Sequence, residues 1–235
     1  MKISIITLFP EMFQGPFDHS IIKNARKKGF VEISYINIRD FGIGKHKIVD
    51  DTPYGGGVGM VLKVDVVHKA IINARDSFKK NYTCNSPARE KVILLTASGK
   101  QFTQKKAKVY SELDHLVLIC GHYEGIDERI TNFIDEEISI GDFVVTGGEL
   151  PAILITDAVT RLITGVLKED ATLNESFSIK NKDGLLLEYP HFTKPSIYEN
   201  YSVPDVLLSG NHKEIEEWRE DEAARKTKKR KSSTA

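Results

Sequence analysis

Apolar and polar positions along the chain predict strands and helices that follow one another. Residues 31–38 alternate between apolar and polar side chains, as in a half-buried strand. Residues 92–95 and 116–119 are unbroken apolar runs, typical of strands covered on both faces. The predicted strands are residues 2–8, 31–38, 91–96, 115–120, 137–140 and 143–146, and the predicted helices are residues 20–28, 64–80, 102–111, 127–133, 150–165 and 211–225. This order favours an α/β fold with a mostly parallel sheet.

The composition changes after Val166, where residues 168–183 become polar and charged and show no strong period. We therefore expect a main domain at 1–166, a flexible linker at 167–186 and a small, mainly helical C-terminal domain at 187–235. The last predicted helix begins acidic and ends basic, and its basic residues are Arg225, Lys226, Lys228, Lys229, Arg230 and Lys231. Such a charge run is usually a solvated tail, although it also suits an anionic partner.

Bulk composition excludes several classes of protein. Lys plus Arg and Asp plus Glu number 33 each, so the net charge gives no sign of nucleic-acid binding. Neither Cys84 nor Cys120 lies in a CxxC motif or a zinc-like cluster, which favours the reducing cytoplasm. No run approaches the roughly 18 apolar residues of a membrane span, and the N-terminal residues are interpreted as a buried strand instead of a signal peptide.

Glycine-containing turns follow three of the predicted strands, at residues 96–99, 121–125 and 141–148. Ligands of open α/β sheets bind beyond the carboxyl ends of the strands, and glycine lets the backbone approach them closely. One such turn would be an ordinary tight turn, but three together predict a shared binding site. The chain contains no GxGxxG, GxxxxGK[ST], HExxH or GxSxG motif. This disfavours nucleotide-phosphate hydrolysis, zinc proteolysis and acyl transfer.

The segment 50–60 has four glycines within five positions, Gly55, Gly56, Gly57 and Gly59. Ordering so many glycines is costly unless the backbone must take a fixed shape. Basic residues precede the segment, and they are Arg39, Lys45, His46 and Lys47. A phosphate-facing loop and a plain flexible surface loop both fit this pattern.

Several segments together resemble the bacterial TrmD family, the tRNA (guanine-N1)-methyltransferases of the SPOUT class. They are ITLFPEMF (6–13), VDDTPYGGGVGM (49–60), CGHYEGIDERI (120–130), SIGDFVVTGGELPA (139–152), DAVTRLITGVL (157–167), PHFTKP (190–195) and VPDVLLSGNHKEIEEWR (203–219). The resemblance implies a deep trefoil knot in residues 1–166 and transfer of a methyl group from S-adenosylmethionine to N1 of guanosine 37 of tRNA. It also implies a substrate with guanine at positions 36 and 37, and a homodimer with its active site at the subunit interface.

The resemblance further implies that the turns bind S-adenosylmethionine largely through backbone groups. The residues it assigns to the cofactor are Thr96, Ser98, Gly121, Tyr123, Gly125, Ile140, Gly141, Asp142, Phe143, Val144, Val145, Gly147 and Gly148. It also implies Mg²⁺, for which the sequence shows no dedicated set of ligands.

Methylation at N1 of guanine needs a base, because this nitrogen carries a proton, and a positive group near O6, where charge develops. The family's base is an aspartate followed by Ser-Phe, and the matching residue here is Glu175, with Asp170 as the rival carboxylate. The resemblance assigns charge stabilisation to Arg161, which could instead form an ion pair at a helix end. Glu124 is a third candidate, and its alternative role is helix capping before Asp127.

The principal hypothesis is therefore a methyltransferase. The replacement of aspartate by Glu175 leaves a second hypothesis open, a non-catalytic knotted RNA-binding protein that retains cofactor binding. A nucleotide-dependent α/β enzyme of another class is the third, and the missing phosphate-binding motifs disfavour it.

Overall fold

A five-stranded sheet lies in the first of the two units into which the chain divides, Met1–Leu167 and Lys168–Ala235. The computed structural model describes residues 1–84, 86–168, 171–182 and 184–233. Its strands are β1 (Lys2–Thr7), β2 (Glu32–Asn37), β3 (Asp50–Asp51), β4 (Val61–Leu62), β5 (Glu90–Gln101), β6 (His115–Cys120), β7 (Glu136–Ser139), β8 (Lys180–Asn181), β9 (Gly184–Leu185), β10 (Ile197–Tyr198) and β11 (Tyr201–Ser202). Its helices are α1 (Ser20–Lys27), α2 (Val64–Asn81), α3 (Gln104–Ser111), α4 (Glu149–Thr160) and α5 (His212–Ser233), with 3₁₀ helices at Pro10–Phe13, Ile38–Phe41, Glu128–Phe133 and Asp205–Leu208.

The main sheet has the order β2-β1-β6-β5-β7, and all of its strand pairs are parallel. Every residue of β1 and β6 is buried. Alternate residues of these strands point to opposite faces, so Ile3 and Ile5 join one core and Ile6 joins the other. The first core includes α4 residues and the second includes α2 residues. The structure therefore confirms the predicted α/β class with a parallel central sheet.

The path of β5 corrects the predicted turn at residues 96–99. Ile138 of β7 pairs with Leu95 and again with Lys100, so β5 continues after a register shift. A Cβ atom built on Gly99 would lie 2.4 Å from the backbone N of Ile138. The residues between the two pairings form an excursion from a strand that runs to Gln101, and glycine permits the close return onto β7.

Other element boundaries also differ from the prediction. Residues 143–146 form no strand, because Gly141 (φ +152°) turns the chain and its carbonyl accepts the N–H of Phe143 at 3.0 Å. Residues 127–133 form a 3₁₀ helix instead of an α-helix. The predicted helix 150–165 ends at Thr160, and Gly165 (φ +88°) closes the turns that follow. The last helix continues past residue 225 to Ser233, since its lysines and arginines are good helix formers.

The second unit contains the pairs β8–β9 and β10–β11, the 3₁₀ helix Asp205–Leu208 and the long helix α5. The predicted linker, 167–186, overlaps this unit, which begins at Lys168. Leu186 and Ala223 are among its few buried apolar residues, so the segment before residue 188 and α5 supply a shared core.

Gly99→Ala is expected to destabilise the protein by about 1–3 kcal/mol, because the new methyl group overlaps the β7 backbone. Urea denaturation of the variant and the wild type measures the change. Ser98→Ala, at an exposed neighbouring position, should change stability by less than about 0.5 kcal/mol. Equal stability of both variants would contradict the close packing of β5 on β7.

Glu136 is expected to make stability depend on acid. Burial raises its pKa, but hydrogen bonds from the ammonium groups of Lys106 and Lys91 outweigh burial, so the pKa is lowered from the ordinary 4.5. A carboxyl group whose pKa is lowered by folding stabilises the fold at pH values above its unfolded-state pKa. This stabilisation is lost as the pH falls through the folded-state pKa. Glu136→Gln should therefore cost about 1–3 kcal/mol near pH 7. The gap to wild type should close in denaturation curves recorded near pH 3, and a constant gap would contradict this prediction.

Candidate active site

A cleft of about 260 Å³ lies beside the excursion of β5 and beyond the carboxyl ends of β6 and β7. The residues predicted to bind a cofactor that line it are Thr96, Gly121, Tyr123, Gly125, Ile140, Phe143, Val144, Val145, Gly147 and Gly148. The predicted catalytic residue Glu124 also lines it. Lining residues that the sequence interpretation missed are Leu95, Ala97, His122, Ile138, Ser139, Thr146 and Pro151. Three of these, Ala97, His122 and Thr146, lie within the predicted turns, so their position between the chosen residues was the available signal. The other four lie in strands or in the helix beside the turns, where no local sequence signal marks them.

Two of the glycine segments meet directly at the base of the cleft. The N–H of Gly148 donates to the carbonyl of Gly121 at 2.8 Å, and His122 forms an antiparallel bridge with Gly147. A Cβ atom on Gly148 would lie 2.6 Å from the Cα of Cys120. Because no side chain fits between these backbones, glycine is required at position 148.

The turn at residues 121–125 is also attached to the glycine-rich segment 52–60, which the strands β3 and β4 enclose as a hairpin loop. The N–H of Glu124 donates to the carbonyl of Met60 at 3.1 Å, and the N–H of Leu62 donates to Gly125 at 3.0 Å. Within the turn, Tyr123 and Gly125 adopt φ values of +59° and +117°. These bonds give the glycine-rich loop a fixed attachment beside the cleft.

The side chain of Glu124 packs against Gly59. A Cβ atom built on Gly59 would lie 2.5 Å from the Cγ of Glu124. Glu124 also lines a second cavity of about 670 Å³, which borders the hairpin and residues 126–129. It therefore lies between the two cavities. The alternative role of helix cap belongs to another residue, because the carboxylate of Asp127 accepts the N–H of Arg129 at the start of the 3₁₀ helix.

A buried polar group that the sequence interpretation missed lies behind the cleft. Glu149, which is 1% exposed, accepts a 2.7 Å hydrogen bond from Thr7. A Cβ atom on Gly147 would lie 2.4 Å from its Oε2 and 2.7 Å from Nδ1 of His122. Nδ1 is buried and has no hydrogen-bond partner within the described part of the chain. Burial, and then the charge of Glu149, raise the pKa of the Cys120 thiol, so this cysteine stays protonated.

Ser98, Gly141 and Asp142, which are also predicted to bind the cofactor, are not among the residues that line the cleft. The hydroxyl of Ser98 lies 3.1 Å from that of Thr96 on the exposed excursion of β5. Gly141 instead forms backbone hydrogen bonds with the hydroxyl of Ser139, and the side chain of Asp142 is exposed.

The structure does not bring the remaining catalytic candidates into the lining of the cleft. Arg161 is half-buried and forms the C-cap of α4. Glu175 is half-buried in a turn of the second unit, where its carbonyl accepts the N–H of Ser178 at 3.0 Å. The rival carboxylate, Asp170, lies outside the described residues. The catalytic roles of Arg161, Glu175 and Glu124 therefore stay predictions.

The described residues contain no group of three or more His, Cys, Asp or Glu side chains that could hold a metal ion. The same residues contain no helix that is long and apolar enough to cross a membrane.

A parallel sheet with a glycine-lined cleft beyond its strand ends defines a ligand-binding protein of the open α/β class. The sequence profile of the family described as "tRNA (Guanine-1)-methyltransferase TrmD" matches residues 1–234. The chain therefore belongs to this family.

Curated relatives named tRNA (guanine-N(1)-)-methyltransferase match nearly the full chain. The Desulfitobacterium hafniense protein is 50% identical over 97% of this chain and 81% of its own length. The Clostridioides difficile protein is 48% identical over 98% of this chain and 95% of its own length. The Bacillus subtilis protein is 48% identical over 97% and 89%.

Gly148→Ala is expected to weaken binding of S-adenosylhomocysteine at least about 10-fold, because the new methyl group separates Cys120 from Gly148 and distorts the cleft. Isothermal titration calorimetry measures the affinity. Lys105→Ala, at an exposed position on α3 outside the cleft lining, should bind with wild-type affinity. If Gly148→Ala also bound normally, the close backbone contact would not shape the ligand site.

Proposed function

We propose that this protein transfers a methyl group from S-adenosylmethionine to N1 of guanosine 37 in tRNA, next to the anticodon. The observation that carries the proposal is the cleft at the strand ends, formed by the segments that match the methyltransferase family. The family accounts for the methyl donor and the tRNA substrate. The proposal adds the position of the methylated guanosine.

The cleft suits S-adenosylmethionine in size and chemistry. Its volume of about 260 Å³ is near the lower end of small-molecule sites, roughly 300 Å³. Leu95, Ile138 and Pro151 give it apolar walls for an adenine ring, and residues 143–145 also line it. Gly147 and Gly148 keep side chains away from the opposite wall. When bound, S-adenosylmethionine supplies an electrophilic methyl group.

The chain's own residues then provide base catalysis and charge stabilisation. In this proposal the carboxylate of Glu175 accepts the proton of guanine N1, which frees the nitrogen lone pair for attack. The guanidinium of Arg161 offsets the negative charge that develops on O6. Glu124, between the two cavities, helps to orient the groups that meet there. The glutamate reaches about one bond further than the family's aspartate.

The proposed knot is supported by how closely the segments around the cleft approach one another. Gly99 lies against the backbone of β7, and Gly148 lies against the backbone at the end of β6. Such contacts are those expected where one segment passes tightly around another. We accordingly assign the first unit to the knotted SPOUT class.

A homodimer is supported by apolar side chains that are exposed on the cleft rim and on α4. Phe143 is 56% exposed, Val144 88%, Leu150 51% and Leu154 47%. A second copy of the chain covers this surface in the proposed dimer, and its Glu175 reaches the cleft of its partner. Each active site then combines the first unit of one subunit with the second unit of the other.

The helix α5 supports a role for the second unit in tRNA binding. Its basic end is helical to Ser233, and this arrangement places several cations along one element. Because tRNA is the proposed substrate, we assign the protein to the cytoplasm. Mg²⁺ stays a prediction, and we assign it no residues.

Wild-type protein should incorporate labelled methyl groups at guanosine 37 of tRNA that carries guanine at positions 36 and 37. Glu175→Ala should lower turnover at least about 100-fold, since a positioned base contributes 10²–10⁴-fold. Its affinity for S-adenosylmethionine should stay near that of wild type, because in this proposal the carboxylate of Glu175 acts on guanine N1 and not on the methyl donor.

Asp170→Ala is the matched control for that experiment and should retain turnover. If Asp170→Ala lost turnover and Glu175→Ala kept it, the base would be Asp170. Cofactor binding by wild type without any methyl incorporation would favour the non-catalytic RNA-binding protein.

A further inference from the structure

Residues 186–188 of the second unit connect α5 to the segment that carries Glu175. We infer that Thr227 and Arg230 of α5 are positioning residues for Glu175. Thr227 acts through residues 187 and 188, and Arg230 acts through the ring of Phe177. This inference rests on the proposed function, in which Glu175 is the base, and it adds a role for α5 apart from contact with tRNA phosphates.

The first contact in this connection is a buried hydrogen bond. The N–H of Leu187 donates to the hydroxyl of Thr227 at 2.8 Å, and that hydroxyl donates to the carbonyl of Ala223 at 2.7 Å. Thr227 is 8% exposed and Ala223 is 2% exposed. A buried polar group is strongly held by its partner, because the loss of that partner is costly. Residue 187 is thus attached firmly to the helix.

The second contact joins the adjacent residue to both elements. The ammonium of Lys226 donates to the carbonyl of Glu188 at 3.2 Å. The N–H of Glu188 donates to the hydroxyl of Ser176 at 3.0 Å. Ser176 directly follows Glu175, so a chain of two hydrogen bonds leads from α5 to the neighbour of the proposed base.

The third contact holds Phe177 in an unfavourable backbone conformation. Phe177 has φ +69°, which is uncommon for a bulky residue and costs of order 1–3 kcal/mol. Its N–H donates to the carbonyl of Leu186 at 2.7 Å, and the guanidinium of Arg230 lies 5.1 Å from the centre of its ring. The conformation persists because the backbone N–H of Phe177 is hydrogen-bonded to Leu186 and its ring contacts Arg230.

These contacts have a simple catalytic consequence. A general base must be within hydrogen-bond reach of the proton it removes, and a displacement of about 1 Å can cost 100-fold in rate. Glu175 lies in an irregular segment, next to residues 176 and 177, which are tied to a long helix. A contact made only with tRNA phosphates would explain the positive charge of Arg230, but it would not explain the Thr227 bond or the conformation of Phe177.

Single-turnover methylation of tRNA at saturating S-adenosylmethionine tests this inference. Thr227→Val keeps the side-chain shape and removes the hydroxyl, and we expect a loss of rate of about 5- to 20-fold. Arg230→Ala should lose about 2- to 5-fold, and Arg230→Lys, which keeps a cation over the ring, should recover most of that loss. Binding of S-adenosylhomocysteine should be unchanged in all three variants.

Lys228→Ala is the matched control, because it removes one exposed positive charge from the same turn of α5. It should weaken tRNA affinity and leave the single-turnover rate at saturating tRNA unchanged. If Arg230→Ala and Thr227→Val behaved like Lys228→Ala, both residues would act only in RNA binding, and the inference would be overturned.

A double-mutant cycle separates a positioning role from a merely structural one, because only a positioning role makes the rate losses of the two substitutions non-additive. In a Glu175→Gln background, Thr227→Val should reduce the residual rate less than about twofold, because the base that it positions is already gone. A full additional loss in that background would overturn the inference. Absence of methyl transfer by the wild type would overturn the proposed function itself, whereas wild-type transfer at an unchanged rate in Thr227→Val would overturn only the positioning role.

If Thr227→Val failed to fold, Phe177→Leu would replace it in the cycle. The side chain of Phe177 is 40% exposed, so the substitution removes the ring contact with little loss of core. The same non-additive loss with Glu175→Gln is expected for it, and additive losses would overturn the inference.

Discussion

The backbone contact between Gly148 and the end of β6 determines the shape of the site. At this contact an N–H bonds to the carbonyl of Gly121, and no side chain fits beside Cys120. The same approach fixes the start of α4, whose first residue, Glu149, is buried and bonded to Thr7 at the end of β1. The cleft therefore depends on glycine positions and on one buried carboxylate, and much less on the exposed side chains around it.

In the proposed function, the two units supply different parts of the chemistry. The first unit forms a glycine-containing cleft on a parallel sheet, which suits a ligand that must be oriented. The second unit carries the proposed base on a segment tied to α5 by Thr227 and Lys226. The proposed homodimer, in which the two units of different chains meet, accounts for a proposed base and a cleft that lie on separate parts of the chain.

The sequence predicted the parallel sheet well, because the apolar runs in β1, β5 and β6 are buried on both faces and leave a clear signal. The glycine turns also marked segments that line much of the cleft, whereas the assignment of single residues to a cofactor stays a prediction. It missed the return of β5 onto β7, which depends on a backbone contact at Gly99 between distant segments. It likewise missed Glu149, because no local pattern shows that a charged residue at a helix start is buried.

The central claim is that the segments 95–97, 121–125 and 138–148 together form the S-adenosylmethionine site. Hydrogen–deuterium exchange with and without S-adenosylhomocysteine tests it most directly. The account predicts slower exchange in peptides from 121–125 and 138–148 on binding, while the peptides of α1 exchange as before. Ligand binding that leaves 121–125 and 138–148 unprotected would contradict the account.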